Sequence, residues 1–225
     1  LVLINEAHNG ELRSIRTRRI GLRMVIAAHN LGVRYLAMEA LPLLAAELAN
    51  RTRQLPDAPG YLGQPEMREL IKCALDHDWE LIAYEADISR KPPEFGSLSN
   101  EETNWRDAEQ AKNLSQAIRD LPATAVLMVW CGNHHLAKVA SDWWHPMGSQ
   151  LRMLTGTEPF CIDQTSSVYF DAARPRFATR WVETFADTLT AMGGSAGFLA
   201  EEAPADWPDP ETADAYLLST ENELT

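Results

Sequence analysis

Four short apolar runs in this chain end on residues able to move protons or hold cations. LVLINEAH closes on Glu6 and His8, RYLAMEA on Glu39, WELIAYEA on Glu85, and TAVLMVWCGNHH on Asn133, His134 and His135. Glu and neutral His are oxygen and nitrogen ligands suited to Zn, Mn, Co or Fe. Without a metal, a carboxylate that fixes a His in one tautomer makes that ring a base for activating water. Glu6 with His8, Glu39, Glu85 and one of the pair His134–His135 are therefore candidates for either role, and spacing alone does not choose within the pair. A GxSxG nucleophile turn and a Gly-rich phosphate loop are both absent.

What could deliver these groups to one place is a sheet. Residues 1–5, 34–38, 80–84 and 124–130 have strand length and nearly continuous apolar composition. Segments of helical spacing separate them, over 10–30, 65–77 and 100–119. Gly32 is a stop for the first, Pro65 a first-turn residue of the second, and Pro122 a stop for the third. A further helix is expected from near His135 through KVASDWW. Strand alternating with helix predicts an α/β domain, a mainly parallel sheet covered by helices on both faces in a three-layer sandwich. Parallel strands place all their carboxyl ends on one edge, where ligand crevices form. Segments 50–64 and 87–100 read as loops able to overhang such an edge. Past residue 160, FCIDQ, SVYF and ADAYLLST read as strand pieces, and the acidic, Pro-rich 201–212 as an exposed excursion.

Supporting groups follow from helical spacing. Arg13, Arg16, Arg19 and Arg23 share one face of the first helix, with Arg13 and Arg16 nearest the strand end. They are candidates to meet an anionic substrate group or a site carboxylate. Arg106 and Asp107, with Asn113 two turns on, lie in the third helix. His29, His77 and His145 are read as structural, Cys131 as packing, and Trp143 and Trp144 as core or pocket wall.

The net charge of −12 argues against nucleic acid or an anionic membrane as partner. Ten of the 32 acidic residues follow Arg180 and none of the 20 basic ones does, so the acidity belongs to the last 45 residues. No run approaches membrane-spanning length. Three cysteines without CxxC spacing indicate neither a disulfide framework nor a Cys-based zinc site. The chain opens inside a strand without an initiator Met, so upstream sequence is expected; cytoplasmic and periplasmic or secreted locations stay open, as does the oligomeric state.

In this order, NEAH, MEAL, YEAD, RDAEQAKN and WCGNHH resemble the erythromycin esterase-like, ChaN-like and TraB/Tiki-type superfamily, over about residues 1–140. Those families open with a GExH-like motif and present a second GxxH-like turn after a later strand. The resemblance implies one EreA/ChaN-like domain over residues 1–225 and favours His135 over His134 as the active histidine. It matches Glu39 to a Glu at the second strand end, and Arg106, Asp107 and Asn113 to a helical Arg-Asp…Asn pattern. Asn5 stands where Gly is usual, and Gly132 where the esterase branch tends to carry another His.

The implied function is a hydrolase activating water for an ester or peptide bond in a small-molecule or peptide substrate. Glu6, His8, Glu39 and His135 would form its centre, as catalytic groups or as ligands of a divalent metal. Arg13, Arg16, Glu85, Arg106, Asp107, Asn113, Asn133 and His134 would support them. The superfamily holds metal-independent esterases, metal-dependent peptidases and haem-binding lipoproteins, so the cofactor is none, a divalent metal or haem. Tyr61 and Tyr84 are the candidate haem ligands. An inactive domain kept for partner contacts is the further alternative.

Overall fold

All four apolar runs form strands, and they stand side by side. The computed structural model describes residues 1–7, 11–57, 60–97, 99–165, 184–192, 195–203, 207 and 213–219; the side chains of residues 11–14, 61, 134, 195 and 219 lie outside the description. In chain order the strands are β1 (Val2–Glu6), β2 (Tyr35–Met38), β3 (Glu80–Ala83), β4 (Leu127–Gly132), β5 (Phe160–Asp163), β6 (Ser195–Leu199) and β7 (Ala215–Ser219). They form one seven-stranded sheet of order β3-β2-β4-β1-β5-β7-β6. Neighbours are parallel except β6, which runs antiparallel to β7. The register sets Glu6 opposite Gly132, and Met38 opposite both Trp130 and Ala83. The carboxyl ends of β3, β2, β4 and β1 are thus level.

The helices are α1 (Glu11–Asn30), α2 (Leu43–Thr52), α3 (Pro65–Asp76), α4 (Asn100–Asp120), α5 (Met147–Thr155) and α6 (Ala186–Ala191). Their ends have local causes. Pro65 opens α3, where its missing N–H costs nothing. The Ser99 side chain accepts the Glu102 N–H to cap α4. Gly32 and Gly156 take positive φ (89° and 66°) just past α1 and α5.

Side chains alternate across the sheet. Leu3, Val129 and Cys131 face a core shared with Ala111 and Leu114 of α4 and with Met147 and Leu151 of α5. Ile4, Met38, Met128 and Trp130 face the other core, with Val25 of α1, Ala46 and Ala49 of α2, and Leu70 and Ile71 of α3. Every residue of β4 is buried, as a central parallel strand covered on both faces requires. The result is the expected three-layer α/β sandwich. No helix among the described residues is long and apolar enough to cross a membrane.

Three local expectations change. No helix runs from His135 through Trp144: a single 3-10 turn, Asn133–Leu136, gives way to an irregular segment, and helix resumes only at Met147. The cause lies in the side chains, because Ser141 Oγ accepts the Trp144 N–H while the Trp144 ring is drawn to α4. The expected loop 50–64 begins inside α2 and ends in a 3-10 turn, Gly60–Gly63. The 201–212 segment is not wholly an excursion, for Trp207 is buried against Phe198 and Tyr216. SVYF lies outside the described residues.

Gly21 shows how closely α1 meets the sheet. A Cβ there would lie 2.2 Å from Cη2 and 2.4 Å from Cζ3 of Trp130, a ring with no exposed surface. Gly21→Val should lower unfolding free energy by about 1–3 kcal/mol through overpacking, as read by denaturant titration.

Candidate functional site

The level strand ends bring Glu39, Glu85 and His135 together under α4. One stripe of that helix tracks the end of β3. Arg106, Gln110 and Asn113 are spaced four and three apart, so they share a face. Arg106 Nε and Gln110 Nε2 donate to Glu85 Oε1 at 2.9 and 3.0 Å, and Asn113 Nδ2 donates to the carbonyls of Glu85 and Tyr84 at 3.0 and 3.2 Å. The Ala40 and Ala86 N–H groups complete the Glu85 carboxylate, at 3.0 and 2.9 Å.

Arg106 also joins two carboxylates. Its Nη2 lies 2.6 Å from Glu85 Oε2 and 2.6 Å from Glu39 Oε1. The second Glu39 oxygen accepts the Gly132 N–H at 2.6 Å. Burial works against the Arg106 charge, but the Glu85 and Glu39 contacts outweigh it and hold the pKa above its ordinary value.

The next residue, Asp107, serves the histidine. It is fully buried, with Oδ1 2.5 Å from His135 Nδ1 and Oδ2 accepting from Trp144 Nε1 at 2.7 Å. With Nδ1 engaged, Nε2 is the ring nitrogen left for chemistry, and it stands 4.0 Å from Glu39 Oε1. Burial lowers the His135 pKa and Arg106 adds to that, yet the Asp107 hydrogen bond and the charges of Glu39 and Asp107 prevail, so it is raised. Two turns bordering this site hold non-glycine residues at positive φ, Ala40 at 56° and Asn133 at 24°. Such backbone costs of order 1–3 kcal/mol each and persists only where surrounding contacts impose it.

Glu6 is held from the opposite layer. It has no exposed surface, and its Oε2 accepts from Arg18 Nε of α1 at 2.9 Å. Arg18 Nη1 also meets Gln64 Oε1, one residue before α3. Glu6 pairs with Gly132 across β1 and β4, and Gly132 binds Glu39, so the two carboxylates sit one strand apart at one level. Arg16 is buried in α1, whereas Arg19 and Arg23 are exposed, so the four arginines do not share one environment. His8 and the side chains of Arg13, His134 and Tyr61 lie outside the described residues.

Other candidates resolve into structure. The Tyr84 hydroxyl is buried and donates to the Trp130 carbonyl at 2.8 Å, which removes it as an axial haem ligand. Burial pushes the Cys131 thiol well up, with Glu39 adding to it, and its Sγ contacts the Ile4 carbonyl. Burial likewise pushes Cys161 up to about 12. Neither thiol is activated. His29 and His77 contact each other edge to face at 4.8 Å, at the ends of α1 and α3. Among the described residues, no three His, Cys, Asp or Glu are grouped to hold a metal ion. The donors that are described also do not fit one, because Glu39 Oε1 faces a guanidinium and Glu6 faces another.

Sequence reasoning missed Arg18, Gln110 and Asp163. Gln110 falls four residues after Arg106, so helical spacing could have found it. Asp163 ends the FCID strand as the glutamates end theirs. Arg18 lies off the stripe of four arginines and carried no signal.

No family model matches the chain, and no curated protein does. Solved structures do match. A Bacillus cereus protein aligns with a TM-score of 0.55 at 11% identity, covering 96% of this chain and 87% of its own. A structure described as bacterial protein toxins aligns with a TM-score of 0.51 at 14% identity, covering 72% of this chain and 34% of that one. RRSP, a MARTX toxin effector domain from Vibrio vulnificus, aligns at 0.49 and 14%, over 72% of this chain and 32% of its own. The chain thus spans about a third of the toxin chains it matches. These likenesses show the fold alone.

Arg106 is the test of this geometry. Arg106→Ala leaves Glu39 and Glu85 facing each other, and should cost roughly 2 kcal/mol of stability, less than the ~3–5 kcal/mol of a fully buried pair because Arg106 is partly exposed. Adding Glu85→Gln should recover part of that loss in a double-mutant denaturation cycle.

Proposed function

We propose that the chain is a hydrolase that activates water at the carboxyl edge of its sheet and cleaves an ester or peptide bond. The observation that carries this reading is the Asp107–His135 pair, which aims Nε2 toward Glu39 at 4.0 Å. Asp107 fixes the Nδ1–H tautomer, so the Nε2 lone pair is the basic site. A water within hydrogen-bond reach of both Nε2 and Glu39 would give its proton to His135 as its oxygen attacks the carbonyl carbon. The protonated ring then returns that proton to the leaving alkoxide or amine. The Arg106 guanidinium, a third exposed at the rim, supplies positive charge for the oxyanion formed between those steps.

The order of NEAH, MEAL, YEAD, RDAEQAKN and WCGNHH supports the same reading, because it resembles that of the erythromycin esterase-like, ChaN-like and TraB/Tiki-type superfamily, whose branches include hydrolases. In that pattern Glu6 and His8 join Glu39 and His135. The steps are carried by His135 and Asp107, while Glu6 and Glu39 each face a guanidinium group.

His135→Ala should cut hydrolysis in a panel of p-nitrophenyl esters and chromogenic peptides by about 10²–10⁴-fold, the range for losing a general base. Full turnover in that variant would sink the reading. The pH profile follows from the same pair. A base must be neutral to act, so the raised His135 pKa predicts a rate rising with pH through a midpoint above the ordinary value of about 6.5. Asp107→Asn should move that midpoint down. Stability moves the other way: the charged ring's contribution is present below the ordinary value and lost as pH rises through the raised one.

A further inference from the structure

The residue that departs from the family pattern at the end of β1 sits at the centre of a buried network. Asn5 is 1% exposed. Its Nδ2 lies 2.7 Å from the Asn133 carbonyl, 2.8 Å from Asp163 Oδ1 and 3.0 Å from Thr165 Oγ1, and its two hydrogens are shared among these three acceptors. Its Oδ1 accepts the Gln164 N–H at 2.9 Å, and its own carbonyl accepts from Gln164 Nε2 at 2.5 Å. Asp163, Gln164 and Thr165 are all buried, and Thr165 N and Oγ1 both donate to Asp163 Oδ1, so the acceptors that hold Asn5 are themselves fixed.

One bond in this network differs from the others. Asn133 begins the single turn Asn133–Leu136 that carries His135, and it takes a φ of 24° without being glycine. Positive φ is uncommon outside glycine, and although Asn tolerates it better than most residues, the surrounding contacts help to hold it. β1 pairs with β4 through Asn5 opposite Cys131, so Asn5 stands two residues before the strained position on the neighbouring strand. Its amide reaches the carbonyl that leads from Asn133 into the next residue of the turn. His135 then follows within that single turn, against Asp107 on α4.

We propose that Asn5 is a positioning residue, which clamps the Asn133 turn and thereby sets the His135 ring on Asp107. Glycine at this place could supply none of the side-chain bonds. The left-handed turn and the amide that holds it belong together in this chain. As a role in catalysis this rests on the hydrolase reading; as a statement about the placement of His135 it does not.

The test reads the His135–Asp107 bond directly and needs no substrate. In proton NMR of the full chain, the His135 Nδ1–H should give a downfield resonance, identified by its loss in His135→Asn. Asn5→Ala should shift that resonance upfield or broaden it away in a protein that is still folded by circular dichroism. Asn133→Gly, which removes the penalty for positive φ, should restore it in the Asn5→Ala background. An unchanged resonance in Asn5→Ala overturns the proposal. If Asn5→Ala does not fold, the double variant decides: folding with the resonance restored supports the clamp. Failure to fold, or folding without the resonance, makes Asn5 a general structural residue and overturns it. Ester hydrolysis in the same variants keeps the two readings apart, because loss of the resonance with no activity in any form would remove the hydrolase and leave the clamp.

Discussion

One guanidinium holds the rim together. Parallel strands ending level on one edge put Glu39 and Glu85 close enough to repel, in surroundings that weaken water's screening. Arg106 meets both at 2.6 Å, and its planar fork also reaches the second oxygen of Glu85. Lysine, with a single ammonium, has no such geometry. Because Arg106 is fixed, Asp107 is fixed beside it one residue later, and the histidine follows. The spacing between a charge clamp and a tautomer clamp is therefore one peptide unit on one helix.

The two acidic ends nearest the centre are served from opposite layers. Arg18 of α1 reaches Glu6, while Arg106 of α4 reaches Glu39, with Gly132 between them in the sheet. Each helical layer thus brings its own cation to the same edge. The Gly132 position has a share in this, since its N–H binds Glu39. A backbone donor needs no side chain, so the edge is held at this strand by the main chain itself.

Much of this was legible in the residues. Continuous apolar runs closing on Glu read as parallel strands with chemistry at their carboxyl ends, and Arg106, Asp107 and Asn113 could be placed on one helix by spacing alone. What sequence spacing cannot carry is pairing across long separations. The choice of Arg18 for Glu6 depends on the rotation of α1 against the sheet, which Gly21 sets by letting the helix touch Trp130. The expected helix after His135 failed for a related reason. Its propensity was overridden by the tertiary bonds of His135 and Trp144 to Asp107, beside a local Ser141–Trp144 bond, and propensity is the weaker influence. Trp207 was misread because acidic, Pro-rich surroundings hid one aromatic that the far end of the sheet buries.

The seam at that far end is short. β7 meets β5 over only two residue pairs, Ile162 with Ala215 and Asp163 with Tyr216, but meets β6 over five. Asp214 reinforces the seam, accepting from the Cys161 N–H and from Lys138 Nζ. The β6–β7 hairpin is therefore bound more tightly to itself than to the sheet it extends. Its side chains nonetheless join the main core, for Ala196, Tyr216 and Leu218 pack in the same cluster as Leu3 and Cys161. Among the described acidic residues, Glu201, Glu202 and Asp214 thus lie at a margin of the sheet, joined to its body through the same β5 end that anchors Asn5.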